Sequence, residues 1–255
     1  MIGMETYLRA RRAAGHKLLV PYVTGGLDGW QDAIRAAAAN GADAIEIGIP
    51  FSDPVMDGPV IQEASQRALD AGATPAGILD AAAELDVQIP LAVMTYANIV
   101  YRAGFRRFAE RLAAAGISAA LLPDVPLEET APWAAAADAA GVETVMFAAP
   151  TAPDDRLPKV CARARGFVYA VGLLGVTGER DTLARTATAL AGRLKAITDI
   201  PVLVGVGVSN AAQAREACTV ADGVIQGASV VRRLMDGGPD AVGEYVAEVR
   251  AAISS

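Results

Sequence analysis

The chain has 255 residues, 53% of them hydrophobic, which suits one large core or two small ones. Its formal charge is −7, which argues against nucleic acid, because phosphate backbones need a basic surface. An anionic small molecule would have to be held locally, by backbone amides and helix ends.

Taken in chain order, a helical segment is expected at Met4–Ala14, ahead of the first strand. The strand candidates are "KLLVPYVT", "AIEIGI", "IPLAVMTY", "SAALLPD", "VETVMFAAP", "GFVYAVG", "IPVLVGVG" and "ADGVIQG". Each is short and bounded by Gly, Pro or Asp, and all but "SAALLPD" carry Val or Ile. Between them run "WQDAIRAAAAN", "FRRFAERLAAAG" and "EETAPWAAAADAAG". These carry apolar residues at helical spacing and stop at Asn or Gly. A last helix is expected at Asp240–Ile253. Eight strand-then-helix units with no long linker predict an α/β fold: one (β/α)8 TIM-barrel domain over residues 1–255, with extra helices at both ends. An open doubly wound sheet is disfavoured, since no G-x-G-x-x-G follows the first strand.

The second strand carries an acid where alternation says core. If Ile45, Ile47 and Ile49 face the helices, Ala44, Glu46 and Gly48 face the barrel axis. A buried carboxylate without a partner has its pKa pushed up, which suits proton transfer near neutral pH. A structural ion pair is the alternative. Asp57 lies past the C-terminal end of this strand, on the face where barrel active sites are built. Asp53, before Pro54, reads as a turn residue.

Strands seven and eight end in "VGVGVSN" and "VIQGASVV". Gly205 and Gly207, then Gly227, precede helical segments, with Ser209 or Asn210 as a cap. Glycine lets backbone amides approach a phosphate, and a helix N-terminus favours the anion. The loop "LLGVTGERDT" after strand six is long and polar, as expected of a lid.

Exclusion narrows the chemistry. His16 is the single histidine, so a histidine metal site or a His-based triad is not expected, and no cofactor is expected. The three lysines, Lys17, Lys159 and Lys195, lie away from the barrel mouth, which disfavours a Schiff base. Carboxylate acid–base catalysis remains. Cys161 and Cys218 are read as buried thiols in a reducing cytoplasm, with no leader and no membrane span.

"EIGIPFSDPVMDGPVIQ" (Glu46–Gln62) resembles the signature of the tryptophan synthase α subunit family. "LLVPYVTGG", "VMTYAN", "LLPDVPLEE", "YAVGLLGVTG", "GVGVSN" and "GVIQGASVV" resemble further family segments, in the right order. The resemblance covers nearly the whole chain. It implies a lyase that cleaves indole-3-glycerol phosphate to indole and glyceraldehyde 3-phosphate. It assigns Glu46 and Asp57 as the catalytic pair, with Tyr169 beside the substrate. Tyr22 and Met94 match the indole pocket, and Thr177 matches a lid threonine that pairs with the aspartate. Gly178, Gly205, Gly207, Gly227 and Ala228 match the phosphate cradle.

The chain departs from the family pattern in places. Ala228-Ser229 stands where many members have Ser-Ala. Gly172-Leu173 replaces Ser and a following residue, and "GGLDGW" replaces a Gly-Asp-Pro turn. The resemblance also implies a pyridoxal-phosphate β subunit as partner, docking near Asp53, Pro54, Tyr96 and Asn98. A stand-alone indole-releasing lyase and a non-catalytic allosteric module are the alternatives. Retention of both Glu46 and Asp57 disfavours the module.

Overall fold

Short Val- and Ile-rich strands leave their amides unsatisfied unless neighbours pair with them. The computed structural model describes residues 3–172, 180–205 and 207–254, with backbone alone over 180–185. Its strands are β1 (Leu18–Thr24), β2 (Ile45–Gly48), β3 (Leu91–Met94), β4 (Ile117–Leu121), β5 (Glu143–Ala148), β6 (Val168–Val171), β7 (Val202–Gly205) and β8 (Gly223–Gln226). They pair in parallel in sequence order, and β8 closes back onto β1. The expected strands and the closed barrel both hold.

Helix α1 (Met4–Ala13) precedes the barrel. After β1 comes α2 (Trp30–Ala39). Two helices, α3 (Pro59–Asp70) and α4 (Pro75–Ala83), follow β2, and two more, α5 (Ala97–Ala103) and α6 (Phe105–Ala114), follow β3. Then α7 (Ala131–Ala140), α8 (Leu157–Arg163), α9 (Arg180–Lys195), α10 (Ala211–Ala217) and α11 (Ala228–Ile253) follow one strand each. The second helices after β2 and β3 exceed the one-per-strand expectation. α4 is nucleated locally: Pro75 opens it and the Thr74 hydroxyl accepts the Gly77 amide at 3.1 Å.

The side chains sort into two layers. Ala44, Val20, Ala92, Leu121, Val145 and Leu203 fill the barrel interior. Met4 and Leu8 of α1 join that interior cluster, fully buried. Ile45, Ile47 and Ile49 pack outward among helix residues such as Ala33 and Ile34, as alternation requires. Buried Asp43 accepts the Leu19 amide at 2.9 Å and pairs with Arg11 at 2.7 Å and with Arg250. That clamp ties α1, β1 and α11 together. Both cysteines are free and buried. No described helix is long and apolar enough to cross a membrane.

Candidate active site

The strands deliver one cavity of about 530 Å³ at the barrel mouth. Its floor holds Glu46, flanked by Tyr22 and Tyr169. Its flank is apolar, with Met56, Ile61, Met94, Pro123 and Phe147. Its rim is backbone: Gly172, then Gly207 to Ser209, then Gly227 to Ser229.

Glu46 sits in register with Tyr22 on β1 and Ala92 on β3. It is 1% exposed, and its Oε2 has no hydrogen-bond partner among the described residues. The structural ion pair is therefore not what holds it. Burial, and then the charge of Asp57, push its carboxyl up to about 8. Glu46 is thus mostly protonated at neutral pH.

Asp57 comes from the proline-stiffened loop after β2. Its amide donates to the Pro54 carbonyl at 3.1 Å, and Gln62 Nε2 donates to its carbonyl at 2.7 Å. The Tyr96 hydroxyl stands 3.1 Å from Asp57 Oδ2. Burial raises the Asp57 carboxyl to about 6, and the Tyr96 hydrogen bond opposes the rise. At neutral pH Asp57 is therefore mainly a carboxylate. Two acids in one cavity hold opposite protonation states, which is the arrangement that divides acid from base work.

The aromatic side chains are seated on glycines. A Cβ at Gly48 would overlap the Tyr22 hydroxyl, and one at Gly205 would overlap the Tyr169 hydroxyl. Gly205 does not line the cavity; it makes room for Tyr169. Phe147 stacks on Tyr169 with ring centroids 4.9 Å apart.

The rim supplies donors. α11 starts at Ala228 without a side-chain cap, and the Val230 and Val231 amides both reach the Gly227 carbonyl. The Ala228 and Ser229 amides have no acceptor among the described residues. α10 is capped by Asn210, whose side chain accepts the Gln213 amide at 2.9 Å. Gly207 has φ +90, a left-handed turn natural to glycine. Such a rim favours an anion.

Of the expected residues, Tyr22, Glu46, Asp57, Met94, Tyr169, Gly207, Gly227 and Ala228 meet at this cavity. Thr177 and Gly178 lie outside the described residues, as does the lid loop over 173–179. Asp53, Pro54 and Asn98 lie outside the cavity, and Asp53 and Asn98 are exposed. Tyr96, expected on the docking side, is 3% exposed, and its hydroxyl stands 3.1 Å from Asp57 Oδ2.

Sequence reasoning missed Asp124, whose carboxylate accepts the Ala97 amide at 3.0 Å and so fixes α5 right after Tyr96. Its signal was an acid directly after the fourth strand. Phe147, also missed, was readable as an inward position of β5. Among the described residues no group of three or more His, Cys, Asp or Glu could hold a metal.

The comparisons agree with this geometry. The family model for the tryptophan synthase alpha chain matches residues 8–252. The tryptophan synthase alpha chain of Thermobifida fusca is 44% identical, covering 99% of this chain and 98% of its own. That of Streptomyces coelicolor is also 44% identical, covering 92% and 89%. A ligand-free tryptophan synthase structure from M. tuberculosis superposes with a TM-score of 0.90 at 34% identity, covering 99% of both chains. The chain therefore belongs to the tryptophan synthase alpha chain family.

Proposed function

We propose that this chain cleaves indole-3-glycerol phosphate to indole and glyceraldehyde 3-phosphate, the retro-aldol step of tryptophan biosynthesis, with Glu46 and Asp57 as the catalytic pair. The observation that carries the assignment is the buried, unpartnered Glu46 carboxyl facing a cavity it shares with Asp57. The apolar flank suits an indole ring, and the amide rim suits a phosphate.

In this reading Glu46 gives its proton to indole C3. The Glu46 carboxylate then takes the proton from the hydroxyl on the adjacent side-chain carbon. That hydroxyl becomes the aldehyde as the C–C bond breaks, and the bond's electrons return to the ring. Glu46 ends protonated, ready for another turn. Asp57 accepts a hydrogen bond from the indole N–H and stabilises the positive charge built up when C3 is protonated. Tyr96 is a positioning residue for Asp57.

A β subunit is the proposed partner. The loop holding Asp53, Pro54 and Asp57 also exposes Val55 at 79% and Met56 at 42%, and Tyr101 on α5 is 76% exposed. Exposed apolar side chains on the segments that follow β2 and β3 suit a docking surface. Asn98 lies on the same helix as Tyr101. The same reading places the chain in the cytoplasm, where buried Cys161 and Cys218 stay reduced.

The test incubates the purified chain with indole-3-glycerol phosphate, with and without a β subunit, and measures indole. Release in both conditions supports a lyase, and faster turnover with the partner supports docking. No release in either condition would leave only a non-catalytic module.

A further inference from the structure

One wall of the cavity is a turn that the proposed reaction does not use. After β5 the chain runs Ala149-Pro150-Thr151-Ala152. The Ala152 amide donates to the Ala149 carbonyl at 3.0 Å, which closes a β-turn. Pro150 takes the second position, where its fixed φ favours such a turn, and Thr151 forms the tip. Ala149, Pro150 and Thr151 all line the cavity, and Thr151 is exposed.

A turn closed by one backbone bond is a loose place for a specific contact, and here a side chain from another element grips it. Arg193, in the last turn of α9, spreads its guanidinium over the turn. Its Nη1 donates to the Pro150 carbonyl at 3.3 Å, and its Nη2 donates to the Ala152 carbonyl at 2.9 Å. These are the carbonyls on either side of Thr151. Nη2 also donates to Asp154 Oδ1 at 2.7 Å, so the positive charge is balanced within the same loop. Arg193 itself does not line the cavity. It is placed to hold the turn and not to meet a ligand. The planar fork spans two carbonyls at once, which a lysine ammonium on its flexible stem does not do.

The order of the barrel decides what Thr151 faces. Met56, Met94 and Pro123, on the segments of β2 to β4, make the apolar flank. Gly172, Gly207 and Gly227, after β6 to β8, make the amide rim. β5 lies between the two. The opposite junction, at β1, is taken by the Tyr22 ring. A molecule with its ring on the flank and its phosphate at the rim therefore lays the connecting chain along the wall that β5 supplies.

We propose that Thr151, positioned by Arg193, hydrogen-bonds the hydroxylated chain of the substrate and makes the site select an indole-bearing polyol phosphate over its deoxy analogue. The proposal rests on the proposed function. In that reaction Glu46 engages the hydroxyl next to the ring, which leaves the second chain hydroxyl for Thr151. Both partners donate and accept, so the bond forms in either direction. The second hydroxyl does not react, so the contact is the same in substrate and transition state and acts on binding more than on rate.

The test uses the full chain with Thr151→Val, Thr151→Ser, Arg193→Lys and the double variant Thr151→Val with Arg193→Lys. KM and kcat are measured for indole-3-glycerol phosphate. Kd is measured by calorimetry for indole-3-propanol phosphate, which keeps the ring and the phosphate but has neither chain hydroxyl. Thr151→Val and Arg193→Lys are each expected to raise KM about three- to tenfold, with kcat and the Kd of the analogue within about twofold of wild type. Thr151→Ser keeps the hydroxyl and should stay near wild type. The double variant should lose no more than the larger single loss, because Arg193 acts through Thr151. An unchanged KM in Thr151→Val would overturn the proposal, since no bond is then made. Equal weakening of both ligands would also overturn it, since Arg193 and Thr151 would then only maintain the loop. A wild-type chain that neither cleaves the substrate nor binds the analogue would overturn the functional reading itself, and the proposal with it.

Discussion

The Tyr96 hydroxyl bridges two groups of the acidic loop: it lies 3.1 Å from Asp57 Oδ2 and accepts the Met56 amide at 3.1 Å. The hydroxyl donates its hydrogen to the carboxylate while its lone pair holds the loop backbone. Tyr96 itself caps the start of α5, which Asp124 anchors. The Asp57 carboxylate is thus held from the element that follows β3 although it sits on a loop.

Removing that hydroxyl tests the relationship. In Tyr96→Phe the ring still stacks near Phe51, whose centroid is 5.0 Å away. The Asp57 carboxylate loses a donor, so its pKa rises further above about 6. Expected are a fall in kcat/KM of about tenfold and an acid limb of the pH profile moved to higher pH. An acid limb that stays in place would show that Tyr96 does not tune Asp57.

The two carboxyls also set the shape of the wild-type profile. The active form holds Asp57 ionised and Glu46 protonated. With Asp57 near 6 and Glu46 near 8, kcat/KM should rise through about pH 6, peak near neutrality and fall through about pH 8. Glu46→Gln cannot exchange the proton and should lose about two orders of magnitude or more in kcat. A variant that kept more than about a tenth of wild-type kcat would remove Glu46 from its role.

Glu46 should carry a stability cost as well. Its folded pKa of about 8 lies above its ordinary 4.5, so the folded state holds the proton more tightly than the unfolded state. Stability therefore falls as pH rises across that window: the penalty is absent below about 4.5 and complete above about 8. Glu46→Gln has no charge to bury. The variant should match wild type near pH 4 and become more stable above pH 8, by on the order of a few kcal/mol. Chemical denaturation at both pH values measures this, and a variant less stable than wild type at pH 9 would contradict it.

Much of this was legible in the residues. Short apolar runs bounded by Gly, Pro or Asp mark all eight strands, because a parallel strand buried on both faces reads as a nearly continuous apolar run. Alternation alone aimed Glu46 inward. The paired glycine turns after the seventh and eighth strands marked the rim. The extra helices α4 after β2 and α5 after β3 have weaker signals, since Thr74-Pro75 and Tyr96-Ala97 are short start signals inside what look like loops. Gly205 belongs to the expected phosphate cradle by its strand-end position and by the resemblance, and the room it gives the Tyr169 ring has no signal in the sequence, because a glycine that admits a ligand and one that admits a neighbouring ring are written alike. The stacking of Arg233 on Tyr245 depends on the bend at Gly238, a tertiary event with no local periodic signature.

The glycine seats form a repeated device. Tyr22 pairs in register with Glu46 and leans onto Gly48, two residues on. Tyr169 pairs with Leu203 and leans onto Gly205, again two residues on. In each pair a barrel tyrosine tilts along the strand direction, and only a missing side chain on the next strand gives it room. Gly48 and Gly205 have no positive φ, so the constraint is space and not backbone. Gly48→Ala should therefore push Tyr22 into the cavity, raise KM for the indole-bearing substrate, and cost about 1–3 kcal/mol through overpacking. Gly205→Ala should displace Tyr169 towards Glu46 and lower kcat more than it changes KM, because Tyr169 lines the cavity beside the proposed proton carrier. Combining Gly48→Ala with Tyr22→Ala should recover part of the lost stability, since the clash then has no partner. Denaturation midpoints and steady-state kinetics on the single and double variants decide it. Additive losses in the double variant would mean that the alanine disturbs something other than the tyrosine.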